Sequence, residues 1–136
     1  MDKNKNPYKL LNIILLESNF KREPYIDFKN SKFNNNINIR TDNTSKDNSL
    51  FVTVTVTFSS KIKQKKVINA KIIMAGMFEF SHNPNLSLET FANINAPAII
   101  FPFIREHLSN ISIKAGIQPI LLPPINFVNL AKEKQI

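Results

Sequence analysis

Between Leu50 and Phe58 the chain puts an apolar residue at every second position, with Leu50, Val52, Val54, Val56 and Phe58 alternating with Phe51, Thr53, Thr55 and Thr57. Successive side chains of a strand point to opposite faces, so a period of two reads as a half-buried antiparallel strand. A second alternation follows, Ile68, Ala70, Ile72 and Met74 against Val67, Asn69, Lys71 and Ile73. Between them lies Lys61-Ile62-Lys63-Gln64-Lys65-Lys66, so the two strands are expected to pair as a hairpin with a lysine-rich turn. Gly76 marks a bend, a bulge or a close backbone approach before Met77-Phe78-Glu79-Phe80.

Residues 8–20 read as a strand that is apolar on both faces, Leu11, Ile13 and Leu15 pointing one way and Leu10, Ile14 and Leu16 the other. Such a strand needs cover on two sides, and a second subunit is the natural source of one of them. Residues 21–49 are rich in Asn, Lys and Ser, with Pro24 as a breaker and one short alternating piece, Ile37-Asn38-Ile39-Arg40. A short second strand in a long, loose connection is expected there, with Thr41 to Ser49 a turn or mobile loop.

From Asn95 the period changes. Phe101, Ile104, Leu108, Ile111 and Ala115 recur at helical spacing, and Gly116 is placed to end the helix in the left-handed conformation. Ile99, Ile100, Phe103 and Ile113 cover another face, which again implies subunit contact. Pro97 suits a first turn, whereas Pro102 lacks an N–H and is expected to kink the helix. Residues 117–130 are apolar, but three prolines keep them out of a regular helix or central strand. That stretch could lie on the sheet or form the wall of a groove for an apolar ligand. The tail Ala131 to Ile136 can extend one brief helix at most, and 1–7 reads as a flexible N-terminus of a single 1–136 domain.

Composition removes most chemistry. With 0 Cys and 2 His among 136 residues, neither a disulfide framework nor a Cys-based zinc site can be built. With 2 Gly there is no Gly-rich phosphate loop. No catalytic residue, cofactor or metal ligand is therefore expected. Arg105-Glu106-His107 are sequence neighbours that point about 100° apart on a helix and cannot share a face. His82, in Ser81-His82-Asn83-Pro84, reads as a turn residue. The Leu10–Leu16 run is broken by Asn12 and offers no small-x-small cleavage site, and no stretch approaches the ~20 residues of a spanning helix. A soluble, cytoplasmic protein is expected, with no membrane insertion. The formal net charge of +8 admits nucleic acid or an acidic partner. The lysine turn reads first as a solvated loop and second as an acidic-partner contact. A nucleic-acid-binding module is the weaker alternative, because no aromatic residues interleave with the lysines.

The order of elements and two linked motifs resemble the SecB family of protein-export chaperones. Asn95-Ala96-Pro97-Ala98-Ile99-Ile100-Phe101-Pro102-Phe103-Ile104-Arg105-Glu106 is similar to the family's Cys-Pro-x-x-Leu-Phe-Pro-Tyr-x-Arg-Glu helix start, with Ala96 where Cys is usual. Gly116 and then Leu121-Leu122-Pro123-Pro124-Ile125-Asn126-Phe127 resemble the Leu-x-Leu-Ala-Pro-Val-Asn-Phe segment. Ala75-Gly76-Met77-Phe78 resembles the Gly-Gly-x-Phe that closes the third long strand.

The resemblance implies an α+β subunit: a four-stranded antiparallel sheet with one long kinked helix and a short C-terminal helix packed on one face, assembled as a dimer of dimers. It implies an ATP-independent holdase that binds unfolded or precursor polypeptides in apolar grooves. By position the groove residues are Phe33, Ile37, Ile39, Phe78, Leu121, Leu122, Ile125 and Phe127. The subunit interface is expected at Leu11, Ile13, Leu15, Ile72, Met74, Phe101, Ile104, Leu108 and Ile111. Two departures bear on delivery. The Cys/His zinc tail that docks proteobacterial members on the SecA motor is expected to be missing, and Lys21, Asn69 and Lys71 stand where those members are acidic. Both put contact with a translocation motor in question, and a chaperone dedicated to one partner, such as an antitoxin, is the alternative.

Overall fold

The computed structural model describes residues 7–81 and 86–134. Most of the expected flexible N-terminus and the expected turn at His82 lie outside the described residues. Four strands form one antiparallel sheet: β1 (Tyr8–Arg22), β2 (Phe33–Lys46), β3 (Ser49–Ile62) and β4 (Lys65–Phe80), in the order β1-β4-β3-β2. The alternating runs become the two central strands, where both neighbours satisfy the backbone. The lysine turn tightens to two residues, Lys63 and Gln64, because Ile62 pairs with Lys65. Lys63 takes φ 58° to close it.

β2 corrects the expectation of a short strand and a mobile loop. It pairs with β3 continuously from Phe33↔Ile62 to Lys46↔Ser49, and the segment 41–46 is strand. The only turn left is Asp47-Asn48, with Asp47 at φ 55°, a conformation that a short acidic or amide side chain tolerates well. A polar edge strand needs no apolar face of its own when β3 supplies a full ladder of donors and acceptors.

β1 is a strand as expected, but its faces are re-phased. Register shifts between Leu10 and Asn12 and between Leu15 and Glu17 leave Leu11 and Leu16 as extra residues. Each extra residue reverses the side on which its successors point. Leu10, Ile13 and Leu15 therefore pair with Phe78, Gly76 and Met74 and share the helix-facing side, while Ile14 faces away beside Ala75.

The helix begins earlier than Pro97 suggested. Ser87 caps it by accepting a hydrogen bond from the Thr90 N–H at 3.1 Å. The chain then runs through α1 (Leu88–Thr90), a π-helical segment (Phe91–Asn95) and α2 (Ala96–Lys114), 27 residues in all. The wide turn, in which the Ala96 N–H donates to the Phe91 carbonyl, sits just before Pro97. A proline ring clashes with the carbonyl four residues back, and one extra residue per turn relieves that crowding. Pro102 sits farther along, within regular α2, and both it and Ala98, whose carbonyl loses a donor, face solvent. After a loop, α3 (Phe127–Lys134) starts within the stretch expected to be irregular. Asn126 caps it, its Oδ1 accepting from the Asn129 N–H at 3.1 Å.

The core lies between α2 and the helix-facing side of β3 and β4. Leu50, Val52, Val54, Val56, Ile72, Ile100, Ile104 and Leu108 are all fully buried, and each contributes about 1.5–3 kcal/mol relative to exposure. Gly76 permits the approach of α2, as a Cβ there would stand 2.9 Å from the Ile100 Cδ1. At the far end Tyr8 stacks on Phe91 at 3.8 Å and donates its hydroxyl to the Leu86 carbonyl at 2.7 Å. Burial pushes that phenol's pKa up.

Candidate functional site: an open apolar groove

A groove of about 330 Å³ opens where the helix stops short of the sheet, lined by Phe28, Phe33, Asn35, Ile37, Phe58, Ser60, Ile68 and residues 117–121. α2 ends at Lys114, while β3 and β4 run on to the hairpin tip. The floor is the end of the alternating pattern: Phe58 and Ile68 continue the core-facing stripe and are covered by loop rather than helix. One wall is the edge strand β2, through Phe33 and Ile37. The other is the proline-bearing loop after the helix.

That loop is held by Ser112, buried in the last turn of α2. Its hydroxyl donates to the Leu108 carbonyl at 2.7 Å and accepts from the Ile120 N–H at 3.1 Å. Ile120 and Leu122 thereby turn inward, and Leu121 between them stands 76% exposed. Gly116, at φ 72°, makes the turn that starts the loop. Arg22 at the end of β1 secures it by donating to the Ala115 carbonyl at 2.7 Å. The mouth of the groove is aromatic, with Phe28 and Phe33 stacked at 5.5 Å.

Of the eight groove residues expected from the resemblance, Phe33, Ile37 and Leu121 line this groove. Ile39 and Ile125 are half-buried and packed against the core beyond it. Phe78, Leu122 and Phe127 are core residues, exposed by only 1%, 5% and 6%, and do not line this groove. Phe78 packs edge-on to Phe91 at 5.1 Å and Phe127 edge-on to Phe101 at 5.7 Å. The groove also takes in Phe28, Phe58 and Ile68, which no expectation placed there, and Ile117, Pro119 and Ile120 from the stretch for which a groove wall was one of the two expected places. Phe58 and Ile68 could have been found by noticing that the strand alternation outlasts the helix that covers it.

The expected subunit interface divides the same way. Ile72, Phe101, Ile104 and Leu108 are buried by the sheet and helix of their own chain, so they cannot meet another subunit. Leu11 and Leu15 are 51% and 45% exposed, Ile13 is half-buried on the helix-facing side of β1, and Met74 and Ile111 are half-buried against the core. The second apolar face of the helix is real at Phe103 and Ile113, 47% and 59% exposed, whereas Ile100 belongs to the core.

Nothing in the groove resembles a catalytic constellation. Arg105, Glu106 and His107 diverge as helix neighbours should. The Arg105 guanidinium lies over the Phe101 ring at 5.1 Å, Glu106 accepts from the Asn110 side chain, and His107 Nε2 is hydrogen-bonded to Ser18 Oγ at 2.9 Å. Among the described residues no cluster of His, Asp and Glu is placed to hold a metal, and no helix is long and apolar enough to cross a membrane.

The family model described as preprotein translocase subunit SecB matches residues 16–136. A protein-export protein SecB of Aromatoleum aromaticum is 35% identical over 113 residues, 82% of this chain and 70% of that protein. The SecB of Methylobacillus flagellatus is 40% identical over 85 residues, 62% of this chain and 54% of that protein. The chain thus spans between about half and seven-tenths of these relatives' lengths. A Mycobacterium tuberculosis SecB-like chaperone, solved with a peptide from an antitoxin, superposes with a TM-score of 0.75 at 12% identity, over 88% of this chain and 91% of that one. This likeness shows a shared fold. The chain therefore belongs to the SecB family, a family of protein-export chaperones and not of enzymes.

Proposed function

We propose that the protein is an ATP-independent holdase of the cytoplasm that binds unfolded or precursor polypeptides in the groove between β2 and the 117–121 loop, and that it works as a homo-oligomer, a dimer of dimers. The observation that carries this reading is an open apolar trough beside an edge strand. Phe28, Phe33, Ile37 and Leu121 offer non-directional burial, and among the described residues no strand pairs with the outer edge of β2. Apolar burial with strand-edge pairing accepts many sequences, which is what a holdase requires.

The magnitude argues for several copies. A groove near the lower end of the ~300–1,000 Å³ range of ligand pockets takes few side chains. At about 1.5–3 kcal/mol for each, before ordering costs, a single groove holds a segment at roughly millimolar strength. Several grooves on one assembly turn the later contacts into intramolecular ones and raise the hold on a long chain. The exposed β1 side chains Leu10, Leu11, Leu15 and Leu16, and the helix face at Phe103 and Ile113, supply apolar surface for that assembly.

Light scattering of a chemically denatured client diluted into buffer tests the proposal. Aggregation is expected to slow with added protein, without nucleotide, and to stop near one assembly per client chain. Unchanged aggregation at that ratio would refute it. Size-exclusion chromatography with light scattering measures the assembly, and a monomer at micromolar concentration would remove the multivalent part.

A further inference from the structure

The groove does not end at Phe33. A second cavity of about 640 Å³ is lined by residues 30–34 together with Ile62 and Lys63, so Phe33 belongs to both. Its chemistry is cationic: Lys32 and Lys63 line it, and Lys61, Lys65 and Lys66 stand on the same hairpin end. Among the described residues only Lys65 of these has an acidic partner, Glu23 at 3.8 Å with both groups exposed. The nearby Asp27 carboxylate accepts from the Lys29 and Asn30 backbone N–H groups and the Asn30 side chain and keeps its negative charge. An apolar trough thus runs into a rim where five lysines outnumber the two nearby carboxylates, Glu23 and Asp27, on a chain of net charge +8.

We propose that trough and rim form one recognition surface, selecting client segments in which an apolar or aromatic stretch is followed by acidic residues. The proposal deepens the holdase reading and rests on it. Like charges across an interface are penalised and opposite charges favoured, so the rim disfavours lysine-flanked segments as well as attracting acidic ones. A polypeptide fits better than a nucleic acid. The rings a base would stack on are engaged, Phe28 with Phe33 and under the Arg22 guanidinium at 5.8 Å. The rest of the trough is largely aliphatic.

The test uses fluorescence anisotropy of three labelled peptides sharing one apolar-aromatic centre and flanked by glutamates, glutamines or lysines. At about 0.1 M salt the glutamate-flanked peptide is expected to bind about tenfold more tightly than the lysine-flanked one, and at about 1 M the spread should fall below roughly twofold. The double variant Lys32→Glu/Lys63→Asp should invert the order. Asp is chosen at 63 because the backbone there is left-handed. Equal binding of all three peptides would overturn the rim and leave the holdase intact, and so would an order that survives the double variant. Binding of none of them would overturn both. A single-stranded RNA oligonucleotide that displaces the glutamate-flanked peptide at equal concentration would overturn the assignment to acidic polypeptide.

Discussion

Replacing Gly76 by alanine measures how tightly α2 is seated on the sheet. A Cβ at this position would lie 2.8 Å from Phe78 Cε2 and 2.9 and 3.0 Å from Cδ1 and Cγ1 of Ile100, where carbon atoms prefer about 3.5–4.0 Å. Neither neighbour can give way freely, since Phe78 is 1% and Ile100 0% exposed and Phe78 is wedged edge-on against Phe91. Overpacking of this kind costs about 1–3 kcal/mol. Alanine returns about 0.4–1 kcal/mol by restricting the unfolded chain, so at mid-range values of both terms the net loss is about 1–2 kcal/mol. For 136 residues the melting temperature moves about 3.5 °C per kcal/mol, giving a drop of about 3–7 °C at fixed protomer concentration. Ile100→Val removes the Cδ1 contact, so in urea titrations the double variant should be about 0.5–1 kcal/mol more stable than the two single costs added. A Gly76→Ala protein as stable as the parent, or strictly additive costs, would refute the close approach.

Leu121→Ser should leave the urea midpoint within about 0.5 kcal/mol of the parent, given its exposure, and weaken groove binding about fivefold in peptide anisotropy. Ser112→Ala leaves the buried Ile120 N–H without its acceptor and should cost about 1–3 kcal/mol in urea unfolding, with faster hydrogen exchange along the 117–122 loop. Tyr8→Phe tests the raised phenol pKa. A group held neutral by burial contributes stability that is full below its ordinary value of 10.0 and is lost as pH rises through the higher folded value. Thermal melts between neutral pH and pH 11 should therefore fall less steeply for the variant.

The central hairpin was legible because one residue pattern admitted one backbone: the Leu50–Phe58 and Ile68–Met74 alternations are half-buried, and each strand's partner lies nearby in sequence. Of β2 only the Ile37–Arg40 piece was legible, because Asn34, Asn36 and Asn43 report only on solvent, while β3 alone dictates their extended conformation. The start of the helix was carried by Ser87 and Thr90, a short cap signal outweighed by Pro97. In β1, bulges at Leu11 and Leu16 changed which leucines share a face, a change no alternation rule contains. For the candidate site, apolarity at Phe78, Ile72, Ile104 and Leu108 was read correctly, but the same side chain suits a core, a subunit contact or a client groove. Only the layout of helix against sheet separates them, leaving Phe33, Ile37 and Leu121 at the groove.

A molecule that keeps a greasy trough in water must not close that trough against its own copies. Along β2 the positions facing away from the helix are Asn34, Asn36, Asn38, Arg40, Asp42, Thr44 and Lys46, a hydrated fringe with no oily stripe that a like strand could match. Such a border welcomes a foreign backbone through its amides yet gives two identical borders little reason to fuse. Stickiness toward strangers and reserve toward siblings are thus written on opposite faces of the same fourteen residues.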